Sequence, residues 1–138
     1  GIDGSTSTAL GYAHLDEQLN VLITGDVSFL YDSNALRLRA LAPNLKIILI
    51  NNQGGGIFRI IEGAKSSQQL EQYFEAQHNN DGKLAAHAGW SYKVSSSVDS
   101  IEETLQEFFD STAVNFIEFK TEPIQSPQTL KDFFTFVR

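Results

Sequence analysis

Two polar residues that can bind a metal follow two successive apolar runs in this sequence. Asp26 comes directly after NVLITG, and Asn52 comes directly after KIILIN. A carboxylate oxygen and an amide oxygen are hard ligands that can share one Mg²⁺ ion, leaving positions for a backbone carbonyl, water and phosphate oxygens. The pair therefore suggests a divalent-metal site that holds a diphosphate.

Three consecutive glycines, Gly54, Gly55 and Gly56, follow the carboxamide. Their flexible backbone can approach a phosphate closely, and the amides at the start of the segment after Asp26 add donors. A simpler explanation is also open, because an Asp after a strand is often a helix N-cap and NN and GGG are common in turns. The residue types alone do not decide between the two.

Two strands must position these side chains. The runs 20–24 and 46–50 are short and apolar, and a helix is predicted between them over 33–41. The second run is continuously apolar, as in a strand that is buried on both faces. Parallel strands end at the same edge of a sheet, so Asp26 and Asn52 are expected at one rim.

The remaining chain continues the alternation of helices and strands. Capping-box patterns at Ser66 with Gln69 and at Ser100 with Glu103 predict two helix starts. The further predicted elements are helices over 5–17, 66–77, 83–89 and from 100 onward, a polar loop over 78–82, and strands over 92–95 and 114–119. A closing helix is predicted with Ser126 as its N-cap and Pro127 in its first turn. This order predicts a single α/β domain over 1–138, in three α/β/α layers around a mainly parallel sheet.

Composition restricts the class of protein. The net charge is −7 with ten Lys and Arg and no basic cluster, which gives little support to nucleic-acid binding. No apolar run approaches the ~20 residues of a membrane span, so no membrane span is expected. The chain has no cysteine and no secretory signal, which favours a cytoplasmic location. It also has no methionine and starts at Gly1, so we expect a piece of a longer polypeptide.

The GD and NN pair resembles the metal and diphosphate motif of thiamine-diphosphate enzymes. Most members have a third glycine, GDG, where this chain has Val27. The stretches GIDGSTSTALGYA, GDVSFLYDSNAL and NNQGGGIF together resemble the C-terminal pyrophosphate-binding domain of one family, the 2-succinyl-5-enolpyruvyl-6-hydroxy-3-cyclohexene-1-carboxylate synthases (MenD) of menaquinone biosynthesis. The resemblance covers nearly the whole chain and is most specific over 1–58.

This resemblance implies thiamine diphosphate and Mg²⁺ or Mn²⁺ as cofactors. The implied metal ligands are Asp26, the Asn52 side chain and the Gly54 carbonyl. The other implied cofactor contacts are Gly25 and Ser28 against the diphosphate, Ile2 under the bent cofactor, and Ile57 and Phe58 along the thiazolium and substrate pocket. For the apolar residues among them, plain core packing explains the sequence as well.

The resemblance also implies an activity, in which 2-oxoglutarate is decarboxylated and its succinyl unit is joined to isochorismate. In the family the catalytic glutamate belongs to a separate pyrimidine-binding domain, usually of a neighbouring subunit. No catalytic residue is therefore assigned in this chain, and the fragment alone is expected to be inactive. Full-length members form dimers or tetramers, and an exposed ring among Phe133, Phe134 and Phe136 would suit a subunit contact.

Three other functions remain open from the sequence. Another thiamine-diphosphate 2-oxoacid enzyme, such as an acetolactate synthase or decarboxylase, is disfavoured by Val27 and by NNQGGGIF. A phosphoacceptor domain would need an acidic pair after its first strand and a lysine past a later one, whereas Lys46 precedes its strand. A noncatalytic assembly domain is the third. His14, His78 and His87 lack metal-ligand spacing and are expected to have packing or solvent roles.

Overall fold

Four parallel strands form the centre of the domain in the computed structural model, which describes residues 2–75 and 81–138. The strands lie in the order β1, β2, β4, β3, and every neighbouring pair is parallel. They are β1 Asn20–Gly25, β2 Leu45–Asn51, β3 Tyr92–Ser95 and β4 Phe116–Lys120. This confirms the predicted parallel α/β architecture.

Helices and short helical turns connect the strands. The α-helices are α1 Ser5–Leu15, α2 Asp26–Tyr31, α3 Asp81–His87, α4 Ile101–Asp110 and α5 Gln125–Phe136. The 3₁₀ helices are Ser33–Leu41, Gly56–Arg59 and Ala64–Ser66, and a single π-helical turn spans Leu70–Phe74. Within the described residues, no helix has the length and apolar character needed to cross a membrane.

The predicted helix over 66–77 is wrong in its described part, which consists of short turns. The proposed cap does not form, because the Ser66 hydroxyl donates back to the Gly63 carbonyl at 3.0 Å. The backbone N–H of Gln69 instead donates to the Ser67 hydroxyl at 3.1 Å, which tightens a turn before a regular helix can start. Residues 76–80, including His78 and most of the predicted polar loop, lie outside the described residues.

Two other helix starts also differ from the prediction. Ser100 precedes α4, but its side chain makes no capping hydrogen bond. The last helix begins at Gln125, so Pro127 lies in its first turn as predicted, whereas Ser126 lies inside the helix and is not its N-cap. Helix α2 was not predicted, because its six residues are too short to show an apolar period.

One face of the sheet carries the larger core. Leu45, Ile47 and Leu49 project alternately from β2 onto this face and are almost fully buried. Phe29 of α2 packs on Phe116 of β4 with ring centroids 5.2 Å apart. The other members of this core come from α1, the first 3₁₀ helix and α3, namely Leu10, Ala13, Ala35, Leu36, Ala42, Ala85 and Trp90.

The opposite face is covered mainly by α4. Phe108 of α4 packs with Ile48, Ile117 and Phe119 of the sheet. Lys46 also lies on this face, and its ammonium donates to the carbonyls of Phe108, Ser111 and Val114 at the end of α4. Burial lowers the pKa of Lys46. The predicted third layer is therefore present beside β2 and β4, whereas Val21 and Ile23 of β1 stay exposed.

Helix α5 packs little of its apolar surface against the rest of the domain. Leu130, Phe133, Phe134 and Phe136 are all at least 41% exposed. The rings of Phe133 and Phe134 contact each other with centroids 5.8 Å apart. The expected exposed rings are thus present at the surface, but a subunit contact there stays a prediction.

Candidate functional site

Asp26 lies where β1 ends and α2 begins, and it is only 4% exposed. One carboxylate oxygen accepts the backbone N–H of Val27 at 2.7 Å. The other accepts the backbone N–H groups of Asn52 at 3.1 Å and Gly54 at 3.0 Å. Because β1 and β2 are paired in parallel, with Gly25 opposite Ile50, the loops after both strands meet at this edge. The predicted convergence of residues 26 and 52 is present.

The side-chain amide of Asn52 also points to Asp26. One end of the amide lies 3.0 Å from Asp26 Oδ2 and also contacts the Gly54 carbonyl oxygen. An amide can present either its NH₂ group or its oxygen at such a position, since the two differ little in shape. With the NH₂ group there, the amide donates to both oxygens. With its oxygen there, oxygens of Asp26, Asn52 and Gly54 converge on one point.

Three converging oxygens repel one another unless a cation lies between them, and that is the donor set of a divalent-metal site. One carboxylate, one amide and one backbone carbonyl suit a hard ion such as Mg²⁺, which keeps its remaining positions for water or phosphate oxygens. In the part of the chain that the structure describes, no group of three or more His, Asp or Glu side chains could hold a metal instead. The residues therefore fit the implied ion, with Asp26 as the sole charged ligand among them.

Two of the three glycines have a specific structural role in this corner of the molecule. Gly54 has a φ of 155°, and Gln53 before it has a φ of 64°, which for a non-glycine residue costs about 1–2 kcal/mol. A Cβ at Gly56 would collide with the amide nitrogen of Asn52. Gly56 therefore provides the space in which the Asn52 side chain turns towards Asp26, a role beyond the phosphate approach predicted for the glycines.

Gly25, Ser28 and Ile2 lie together beside the candidate metal site formed by Asp26, Asn52 and Gly54, hereafter the metal corner. The Ser28 hydroxyl donates to the Ile2 carbonyl at 2.8 Å and shares a hydrogen bond with the Ser5 hydroxyl at 3.0 Å. These bonds hold the segment before α1 against the start of α2. Gly25 is exposed, and a Cβ there would meet nothing within 4 Å, so open space lies next to it. Ile2 is 46% exposed.

Ile57 and Phe58 have different environments. Ile57 is 56% exposed, so its side chain is open to contact with a ligand or another domain. Phe58 packs on Phe74 with ring centroids 5.8 Å apart and lies against Gly55. Packing therefore explains Phe58, and a pocket role remains open for Ile57.

Arg59 holds the same segment through two ion pairs. Its guanidinium lies 2.6 Å from a Glu75 oxygen and 3.2 Å from Glu71. The hydrogen bond with Glu75 is the main cause that raises the pKa of Arg59. Both acids neutralise the charge of this arginine.

A cleft of about 770 Å³ lies beyond the carboxyl end of β4, between that strand and α5. The cleft adjoins the metal corner through Gln53, but neither Asp26 nor Asn52 lines the cleft. Its walls combine the apolar side chains of Val98 and Phe133 with Lys120. The metal corner and the cleft are neighbouring but separate features.

Sequence reasoning missed a pair of buried, hydrogen-bonded polar side chains next to the metal corner. Glu118 and Asn51 are each 1% exposed, and the Asn51 amide donates to Glu118 at 2.5 Å. A signal was available, because a glutamate between Ile117 and Phe119 in a buried strand must find donors. Asn51 was noticed as half of the NN pair, but only Asn52 received a role.

The comparisons with known proteins agree with this geometry. Residues 4–119 match the family described as thiamine pyrophosphate enzyme, C-terminal TPP binding domain. The chain belongs to this family. The phosphoacceptor alternative thereby loses its support, whereas a noncatalytic assembly domain that keeps this fold is compatible with the match.

The curated relatives specify the group more closely, and they confirm the resemblance expected from the sequence. A 2-succinyl-5-enolpyruvyl-6-hydroxy-3-cyclohexene-1-carboxylate synthase from Christiangramia forsetii is 39% identical over 100% of this chain and 24% of its own length. The protein of the same name from Flavobacterium johnsoniae is 44% identical over 97% of the chain and 24% of its own length. That from Flavobacterium psychrophilum is 50% identical over 78% and 19%. The chain spans about a quarter of the length of such relatives.

Proposed function

We propose that this chain is the diphosphate- and metal-binding part of a 2-succinyl-5-enolpyruvyl-6-hydroxy-3-cyclohexene-1-carboxylate synthase. In this proposal Asp26, the Asn52 amide oxygen and the Gly54 carbonyl bind one Mg²⁺ or Mn²⁺ ion. The observation that carries it is the convergence of these groups, with Asn52 3.0 Å from the buried Asp26 carboxylate. Relatives of that name match the chain over up to 100% of its length, which supports this synthase over an acetolactate synthase or decarboxylase.

The remaining cofactor contacts are proposed from their positions. Open space beside Gly25 leaves room for a diphosphate next to the metal. Ser28 lies at the same place, and it reaches a diphosphate only by sharing or releasing its bond to the Ile2 carbonyl. Ile2 and Ile57 are exposed apolar groups that can support the cofactor and line its pocket. Thiamine diphosphate, when bound, would supply a thiazolium ring whose carbon bonds to the 2-oxoacid and which takes up the electron pair released by decarboxylation.

The chain's contribution to the reaction is binding and orientation. Its residues would fix the diphosphate end of the cofactor, and none of its acids is assigned the role of the catalytic glutamate. We propose that a pyrimidine-binding domain, of the same or a neighbouring subunit, supplies that glutamate, so the site forms in a homo-oligomer, a dimer or tetramer. The substrates in this proposal are 2-oxoglutarate and isochorismate, and the location is cytoplasmic.

Metal binding by the full-length protein tests the first half of the proposal. Mn²⁺ titration followed by electron paramagnetic resonance should show one site per chain that tightens when thiamine diphosphate is added, because the diphosphate completes the ion's ligands. Asp99→Ala, a change at an exposed acid, should leave this titration unchanged. Absence of any Mn²⁺ site in the folded protein would contradict the proposed ligand set.

Turnover tests the second half. The full-length protein should release CO₂ from 2-oxoglutarate and consume isochorismate, whereas the purified 138-residue chain should do neither. Pyruvate should not replace 2-oxoglutarate if the synthase assignment is right. Preference for pyruvate would instead indicate an enzyme of the acetolactate synthase or decarboxylase type, and turnover by the isolated chain would refute its dependence on another domain.

A further inference from the structure

A chain of buried hydrogen bonds leads from the sheet to the metal corner. The Tyr92 hydroxyl and the Asn51 amide donate to different oxygens of the Glu118 carboxylate. Glu118 and Asn51 are each 1% exposed, so water does not satisfy them in place of these partners. The packing around the carboxylate is tight, since a Cβ at Gly82 would collide with both Glu118 and Tyr92.

The bond to Glu118 determines which way the Asn51 amide faces. A carboxylate only accepts hydrogen bonds, so the NH₂ end of the amide must point to Glu118. The oxygen end then faces the backbone N–H of Gln53 and accepts its hydrogen bond at 2.8 Å. The Asn51 backbone is fixed as well, because its carbonyl accepts the N–H of Thr121 at 2.8 Å.

The bond from Gln53 stabilises an unfavourable backbone conformation. Gln53 has a φ of 64°, and its N–H is held by the side-chain oxygen of the residue two positions earlier, which is the bond of an Asx turn. This conformation directs the next peptide, whose N–H at Gly54 donates to Asp26 at 3.0 Å. The carbonyl of Gly54 then lies against the Asn52 amide.

We propose that Asn51 and Glu118 are positioning residues for the divalent-metal site. Glu118 orients the Asn51 amide, Asn51 holds Gln53 in its left-handed conformation, and Gln53 places the Gly54 carbonyl beside Asp26 and Asn52. This inference rests on the proposed metal-binding function. It assigns roles to two buried residues that do not themselves contact the ion. It predicts that replacing either residue lowers metal affinity by more than its effect on fold stability would explain.

Glu118→Leu in the full-length protein tests the proposal. It removes both acceptor oxygens, so the Asn51 amide can turn over, and Mn²⁺ affinity should fall about 10- to 100-fold, as for other partners of metal ligands. Glu118→Gln should restore the affinity to within about threefold, because its amide oxygen can still accept from Asn51 while Tyr92 accepts from its NH₂ group. Affinity is measured by electron paramagnetic resonance of free Mn²⁺, and folding by thermal unfolding.

Tyr92→Phe is the matched control. It removes a hydrogen bond to the same carboxylate but leaves the bond between Glu118 and Asn51. It should lower the unfolding temperature without changing Mn²⁺ affinity. If affinity followed the unfolding temperature across both variants, the network would be merely structural and the proposal would be overturned.

Asn51→Ala keeps the proposal testable if Glu118→Leu does not fold. It removes the acceptor for Gln53 directly and should cause the same loss of Mn²⁺ affinity. Where both single variants fold, the double variant should bind Mn²⁺ no more weakly than Asn51→Ala, because Glu118 acts through Asn51. Wild-type affinity in either folded single variant would overturn the inference alone, whereas failure of the wild-type protein to bind Mn²⁺ would overturn the proposed function.

Discussion

The metal corner and the segment that follows it are adjacent in sequence but are held in different ways. In the corner, Asp26 is buried and accepts backbone N–H groups from the opposite loop, so two strand ends fix its position. The segment 57–74 consists of short 3₁₀ and π turns with exposed apolar side chains. Its main ties are the ion pairs of Arg59 and the contact between Phe58 and Phe74.

The two regions are therefore suited to different tasks, the metal corner to holding a ligand rigidly and the segment to adapting its surface. A metal needs ligand oxygens at fixed distances, which buried strand ends and backbone hydrogen bonds provide. The segment 57–74 instead presents exposed apolar side chains on short turns, which can adjust to what binds there. Substitutions should therefore separate the two regions by the property that they change.

Asp26→Ala should have the largest effect on Mn²⁺ affinity, because Asp26 lies at the centre of the metal corner. The change removes the sole carboxylate among the proposed ligands and the acceptor of three backbone N–H groups. Loss of a direct ligand should lower Mn²⁺ affinity by more than about 100-fold, beyond the effect of outer-shell partners. Calorimetry with Mn²⁺ and thiamine diphosphate measures it, and unchanged affinity would remove Asp26 from the site.

Gly56→Ala should come next, because it acts through a neighbouring ligand. Its methyl group would lie too close to the Asn52 amide nitrogen, so that side chain has to shift. Mn²⁺ affinity should fall about tenfold, or about 1.4 kcal/mol. Gly11→Ala is a suitable control, since a Cβ there meets nothing within 4 Å and should leave affinity unaffected. Wild-type Mn²⁺ affinity in Gly56→Ala would mean that the Asn52 side chain does not depend on the space at Gly56.

Arg59→Gln should change the segment and leave the corner intact. The substitution breaks the pairs with Glu75 and Glu71, of which Glu75 is the more buried. The free energy of unfolding should fall by about 1 kcal/mol, the range expected for partly exposed ion pairs. Urea unfolding measures this loss and Mn²⁺ titration provides the contrast. A large loss of Mn²⁺ affinity would show that the two regions are not independent.

Ile57→Ala should have the smallest effect on the unfolding free energy and on Mn²⁺ affinity. Because Ile57 is 56% exposed, the unfolding free energy should change by less than about 0.5 kcal/mol. Mn²⁺ affinity should also stay the same. If Ile57 lines the pocket, the KM for 2-oxoglutarate should rise in the full-length protein. Wild-type kinetics would instead leave Ile57 as an ordinary surface residue.

Sequence reasoning succeeded where the signal was strong and local. The apolar runs around β1 and β2 predict both strands to within one residue at each end, because a continuous apolar run of that length suits a buried parallel strand. Strand β3 was predicted with its observed bounds, Tyr92–Ser95. From these strands the meeting of residues 26 and 52 at one edge follows by topology alone.

It failed where long-range contacts decide the structure. The capping-box pattern at Ser66 gave no regular helix, because local hydroxyl bonds and the tie between Arg59 and Glu75 favour short turns. The roles of Glu118 and Gly56 could not be predicted either. The sequence shows that Glu118 needs donors, but not that Asn51, 67 residues away, is one of them. The role of Gly56 depends on the direction of the nearby Asn52 side chain, which neither composition nor periodicity reveals.

The backbone bonds to Asp26 have a consequence for how the protein should tolerate chelators. Three N–H groups fix this carboxylate, so its position is set by the chain and does not depend on the ion. Treatment with a chelator should therefore inactivate the full-length enzyme without unfolding this domain. Restoring Mg²⁺ should return activity as fast as ion and cofactor can diffuse in, with no slow refolding step.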